Sequence, residues 1–184
     1  MIKKGFTLIE VLVVVSVISL VLPAVFTIVF LILRQQAKVY VLQEVKRQGD
    51  FVLNNMRTTI KNNAVTVHSG VPTSANQVCN SVGSSSVAGT TLYFKDSLNN
   101  YFWYTSDGTK IASNSSIPST TTDLTGSKVN IPAGTPLTIS CFRGGSFSAP
   151  IISVSYGISY NTTSLRTEDN ASFDYKTKIQ LRNF

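Results

Sequence analysis

Residues 6–33 are almost wholly apolar, and residues 11–33 contain no charged side chain across 23 positions. At 1.5 Å per residue such a run makes about 35 Å of helix, enough to cross the hydrocarbon core of a bilayer. Pro23 lies inside it, removes one backbone donor and predicts a kink, with Ser16 and Ser19 placed upstream to occupy freed backbone groups. Past Arg34 the chain turns amphipathic. Leu42, Val45, Gly49, Val52, Met56, Ile60 and Val67 recur close to the helical period, and Val41, Phe51, Leu53 and Ala64 widen the stripe. No proline follows until Pro72, although Gly49 weakens the helix by about 1 kcal/mol relative to Ala. One continuous helix over about residues 6–67 is predicted, roughly 90 Å long. Its first half projects; only its second half has a domain to lie against.

After Gly70 the period changes. VPTSANQVCNSVGSSSVAGT reads as loop, and TLYFK and YFWYT flank DSLNN as a β-hairpin. SDG marks the next turn, before TKIAS, and SNSSIPSTTTDLTGS reads as another loop. LTISCF, IISVSYGISY and SFDYKTKIQLRN are further strands; IISVSY alternates with period two, as a half-buried strand does. About five to seven antiparallel strands are predicted, with one face of the sheet covering the helix stripe. The fold class is α+β: a long N-terminal helix followed by an antiparallel β-domain.

Composition agrees with an anchor followed by a modest globular part: 36 of the last 116 residues are Ser or Thr. Net charge is +7, but residues 1–70 hold eight Lys/Arg against three acids, and residues 71–184 hold eight against six. The basic excess therefore lies beside the apolar run, and no dense basic cluster interleaved with aromatics points to nucleic acid in the β-domain. The two cysteines, Cys79 and Cys141, both fall beyond the membrane segment. That setting is extracytoplasmic and oxidising, and favours one disulfide over two buried thiols.

Catalytic and metal-binding patterns are missing. His68 is the only histidine and lies at the predicted end of the helix, where it serves to satisfy that end. No G-x-S-x-G, phosphate-binding loop or dinucleotide fingerprint occurs. Glu168, Asp169 and Asn170 lack the spacing of a calcium loop and read as a solvated turn. In YFWY, Tyr101 and Trp103 share one strand face and Phe102 and Tyr104 the other, which reads as a strand packed on both faces. Neither a cofactor nor a metal is expected, nor is enzyme activity.

Lys3 and Lys4 precede the apolar run, so the short N-terminus is expected in the cytoplasm and the rest of the chain outside. The run is far longer than the core of a secretory signal and ends in no A-x-A site. A plain signal anchor accounts for the lysines and the run. It leaves unexplained Glu10, a carboxylate at the head of an apolar segment, and the Gly5–Phe6 junction. Snorkelling to the interface is one fate for Glu10.

KKGFTLIE, with the apolar run and extended helix behind it, resembles the type III signal of type IV pilins and pseudopilins. The resemblance is strong over residues 1–35, architectural over 36–67 and only general over the β-domain. It implies cleavage by a prepilin peptidase between Gly5 and Phe6, and methylation of the freed Phe6 amine. It also implies a pairing of Glu10 with the Phe6 amine of an adjacent subunit, and makes Pro23 the kink of the helix. On this reading 1–5 is a leader, 6–33 the transmembrane and assembly half of the helix, 34–68 its amphipathic half and 69–184 an extracytoplasmic β-domain. The partners it implies are other pilin subunits, the peptidase, an inner-membrane assembly platform and the lipid bilayer before assembly. The wide spacing of Cys79 and Cys141 differs from the tight C-terminal disulfide loop of many major pilins, and the chain looks more like a minor pilin. The alternatives are a minor pseudopilin of type II secretion, or a tip pilin that binds DNA or a surface.

Overall fold

The structure is a computed structural model, and the residues described are 7–83, 91–164 and 166–182. Helix α1 runs over Leu8–Asn63, 56 residues without a break. Thr7 is its N-cap, and Glu10 three residues on completes a capping box. The helix is then lined by the sequence stripe, of which Val45, Gly49, Val52, Met56 and Ile60 are buried. Two positions differ from the pattern: Val41 is buried while Leu42 is only half-buried, and Phe51 is 56% exposed on the far side of the helix.

α1 stops at Asn63, four residues before the predicted end. Ala64 is extended, and its N–H closes the last turn on the Ile60 carbonyl. Two asparagines followed by the β-branched Val65, Thr66 and Val67 favour leaving the helix. The chain leaves directly into strand β1, Thr66–His68. Val67 is buried as predicted, but as part of a strand.

The described residues hold ten strands in two antiparallel sheets. The first sheet has β1, β2 (Gln77–Val78), β3 (Tyr93–Lys95), β4 (Tyr101–Ser106), β5 (Ile111–Ser116) and β6 (Ser119–Asp123), in the order β2-β1-β3-β4-β5-β6. The second has β7 (Val129–Asn130), β8 (Thr138–Phe142), β9 (Ile151–Tyr160) and β10 (Ser172–Gln180). β10 pairs along one edge of β9; β8 and β7 share its other edge. The predicted hairpin over DSLNN and the SDG turn are both present, with Asp96 accepting the Leu98 and Asn100 amides in the first. The segment read as loop around Pro118 is instead the β5–β6 hairpin. Every residue of β6 is exposed and polar, so it carries no period-two signal, and its pairing with β5 rests on backbone bonds and Thr propensity. The strands beyond those predicted are β6 and three pieces of two or three residues, β1, β2 and β7.

One core joins all layers. Met56 and Ile60 of α1, Phe94, Tyr104 and Ile111 of the first sheet, and Ile139, Ile152 and Ile158 of the second belong to a single cluster. β9 and β10 lie directly on the helix. At Gly49 the approach is close: a Cβ would meet the Tyr175 ring, 2.5 Å from its hydroxyl. The Tyr156 hydroxyl donates to the Gly49 carbonyl at 2.8 Å, and burial pushes that hydroxyl's pKa upward. Glycine here removes the side chain that would keep strand and helix apart. The architecture is α+β and pilin-like, with one helix half packed along one face on the β-domain and the other half bare.

Candidate assembly site

The bare half of α1 is the most unusual surface of the chain. Residues 7–37 are all exposed, and leucine, isoleucine, valine and phenylalanine side chains cover every side of the helix rather than one stripe. A helix apolar all round is stable only in lipid or against other apolar helices. Among the described residues α1 is the one helix long and apolar enough to cross a membrane. The few hydroxyls in this stretch are turned onto the helix itself. Ser16 donates to the Val13 carbonyl, Ser19 to that of Ser16 and Thr27 to that of Pro23, at 2.8, 2.9 and 2.8 Å. None of these three is given to the Ser19 carbonyl, which Pro23 deprives of its helical donor. The helix passes Pro23 without interruption.

At the head of the segment, Glu10 folds back on its own chain. Its carboxylate accepts the Thr7 backbone N–H at 3.4 Å and lies 3.5 Å from the Thr7 hydroxyl, while its own N–H donates to that hydroxyl oxygen at 3.4 Å. The negative charge thus sits at the positive end of the helix dipole. All three contacts are long, so the carboxylate retains acceptor capacity. Gly5 and Phe6, the expected cleavage and methylation positions, lie outside the described residues.

Where the domain begins to grip the helix, polar clips that the sequence reading missed take over. Lys38 donates to the Thr167 carbonyl at 2.8 Å and also to that of Asn170. Glu44, 9% exposed, accepts from Arg47 and Gln48, and Gln48 in turn accepts the Gly126 N–H at 2.6 Å. The Arg47 and Gln48 hydrogen bonds hold the Glu44 carboxyl below its ordinary range. Lys128 reaches the Tyr40 hydroxyl at 2.8 Å. The only sequence signal was the i+3 and i+4 spacing of Arg47 and Gln48 from Glu44, a common surface pattern.

The remaining singled-out residues are placed as follows. Cys79, just after β2, and Cys141, in β8, are bonded, and staple the first sheet to the second. His68 is not at the helix end but in β1, buried between the Thr66 hydroxyl and the Asn76 side-chain oxygen, each at 2.9 Å. YFWY is not packed on both faces. Tyr104 is fully buried and Phe102 packs on the core, whereas Tyr101 and Trp103 are half-buried on the outer face. There Trp103 stacks on Tyr93 at 5.0 Å and on Tyr101 at 5.7 Å, so the rings spend their faces on one another. Asp169 accepts from the Ser164 hydroxyl at 2.6 Å in a surface turn. Among the described residues no group of three His, Cys, Asp or Glu side chains is arranged to hold a metal ion.

No match was found among the curated proteins or among the solved structures. Residues 1–22 match the family model described as the prokaryotic N-terminal methylation motif. That stretch contains Gly5, Phe6 and Glu10 and runs into the bare half of α1, and the match supports the resemblance of this N-terminal segment to that of type IV pilins and pseudopilins.

Proposed function

We propose that the chain is a structural subunit of a type IV pilus-like filament, of the minor kind, and not an enzyme. It enters the cytoplasmic membrane as a single-pass precursor with residues 1–5 on the cytoplasmic side. A prepilin peptidase cleaves between Gly5 and Phe6, the Phe6 amine is methylated, and residues 6–33 then leave the bilayer to bundle with the same segment of other subunits. One observation carries this reading: an apolar helix half, exposed on every side, that begins at a methylation motif. Such a surface exchanges lipid for neighbouring helices without losing apolar burial.

Glu10 contributes register. Its carboxylate is held only by long contacts to Thr7, and cleavage creates a cation one residue upstream of Thr7. In a bundle the carboxylate meets the Phe6 amine of a neighbour, and a subunit in the wrong register leaves both charges in an apolar setting. The site of action is the extracellular filament; a periplasmic minor pseudopilus is the second reading, supported by the same motif. Mass spectrometry of the protein from cells with an active peptidase tests the processing step. A mature chain starting at a methylated Phe6 is expected, and one starting at Met1 sinks the proposal.

A further inference from the structure

Exposed apolar side chains are unevenly distributed over the β-domain. Seven large ones stand open to solvent outside α1 among the described residues, and five of these, Val82, Leu98, Ile117, Phe142 and Phe147, lie at one end. Strand register fixes that end as the one beyond the C-terminus of α1. Leu98 is in the turn after Lys95, which pairs with Thr66 next to the helix end. Ile117 follows Ser116, whose hydroxyl accepts the Tyr101 N–H. Val82, Phe142 and Phe147 flank the Cys79–Cys141 staple. Among the described residues of the loops at the opposite end, 107–110, 124–128, 131–137, 161–164 and 166–170, no large apolar side chain is open to solvent; Val71, after β1, and Phe173, in β10, are the other two of the seven.

Phe147 is 99% exposed, yet its loop is tied down. The Arg143 guanidinium donates to the carbonyls of Asn80, Ser146 and Ser148 at 2.9, 2.8 and 3.1 Å, and the Gly145 N–H donates to the Ser148 hydroxyl at 2.7 Å. A fixed loop with an unshielded phenylalanine presents that ring outward. Around the tips stand Lys61, Lys95, Arg143 and Arg182; the acid at this end, Asp96, is turned onto its own turn amides. The apolar tips are carried on separate loops, an arrangement that suits a yielding surface. A yielding surface can admit each tip between its headgroups while the cations meet its negative charge.

We propose that this end is an interfacial docking surface for an anionic lipid bilayer, distinct from the one α1 crosses. The crossed bilayer is out of reach, because the 30 helical residues after Leu33 place the far end about 45 Å away from it. The inference goes beyond the filament reading and depends on neither cleavage nor polymerisation.

The test uses the full chain in nanodiscs of phosphatidylcholine, mixed with sucrose-loaded vesicles of phosphatidylcholine alone or with phosphatidylglycerol. Protein-bearing discs, but not empty ones, are expected to sediment with the anionic vesicles and several-fold less with the neutral ones. Phe147→Ser with Leu98→Ser lowers the bound fraction at least tenfold. Phe51→Ser, an exposed apolar change on α1 away from this end, leaves it unchanged, and unaltered Trp103 fluorescence reports an intact fold. No sedimentation with anionic vesicles, equal binding to both lipids, or full binding by the double variant overturns the proposal. Discs that pair with one another while ignoring vesicles also overturn it, and assign the surface to a second copy of the chain.

Discussion

Gly157→Ala is expected to loosen the second sheet. Gly157 is buried in the middle of β9, opposite Asp174 of β10, and the segment around Thr135 crosses directly above it. The crossing is pinned on both sides: Gly157 N–H donates to the Thr135 carbonyl at 2.8 Å, and Thr135 N–H donates to that of Pro132 at 3.0 Å. A Cβ on residue 157 would lie 2.7 Å from the Thr135 Cβ, closer still to its hydroxyl, and 3.1 Å from an Asp174 carboxylate oxygen. A Cβ cannot swing aside as the tip of a long side chain can, so the segment itself must lift. Overpacking of this kind costs about 1–3 kcal/mol, and stretching the backbone bond about 1 more. Alanine recovers some 0.5–1 kcal/mol through its smaller entropy loss in a strand. The net loss is about 2 kcal/mol, or roughly 6 °C in Tm for a domain of this size. Gly134 serves as control: a Cβ there meets nothing within 4 Å, so Gly134→Ala is neutral or stabilising by up to about 1 kcal/mol. Urea unfolding of the full chain in detergent, followed by the fluorescence of Trp103, the single tryptophan, measures both. Two variants of equal midpoint would refute the reasoning, because it rests on the crossing segment being unable to yield.

Three further outcomes are expected. Glu10→Gln keeps a capping side chain but removes the charge, whereas Glu10→Ala removes both; filament incorporation, read by immunoblot of sheared filaments, falls alike in the two, and normal incorporation of the Gln variant would reduce Glu10 to a helix cap. Reducing the Cys79–Cys141 bond, which closes a 62-residue separation, lowers the urea stability of the domain by roughly 4 kcal/mol, while a midpoint insensitive to reductant would mean the staple adds nothing. The carboxyl of Asp107 is held down from 3.8 to about 2, first by the Lys110 backbone N–H and then by the Thr109 hydroxyl and N–H. A depressed folded-state value gives stability that is complete above pH 4 and is lost as pH falls toward 2, so Asp107→Ala flattens the acid limb of the urea midpoint in that window; an unchanged limb would count against the turn's role.

The helix was legible because its two signals are long. Twenty-three uncharged residues admit one physical reading, and a stripe from Val45 to Ile60 repeats often enough to fix the buried face. Its end was less legible: Val67 continues the spacing by coincidence, and only the β-branched run around it marks the departure into β1. The hairpin at DSLNN could be read because aromatic strands flank it. β6 could not, since a strand exposed on both faces has no pattern to show. The outward stack of Tyr93, Tyr101 and Trp103 was missed for a related reason, as aromatic density alone does not say whether rings are covered by core or by each other. At the N-terminus the motif residues were visible, but the cap between Thr7 and Glu10 depends on rotamers that spacing only permits. Lys38 and Lys128 reach carbonyl and hydroxyl partners 129 and 88 residues away, beyond any local pattern.

That α1 is one unbroken element gives the molecule a definite mechanical layout. A force applied to the β-domain while the bare helix half is held travels down a single covalent rod, with no hinge loop to absorb it. The domain is fastened to this rod along its length, from the Lys38 clip to Ile60, so such a force loads the contact in shear. Contacts arranged in a row parallel to a load share it and must fail together, unlike contacts at a zipper's fork, which fail in turn. The Tyr156 and Tyr175 seat at Gly49, near the middle of that row, acts as a detent that the helix would have to ride over before the domain could slide.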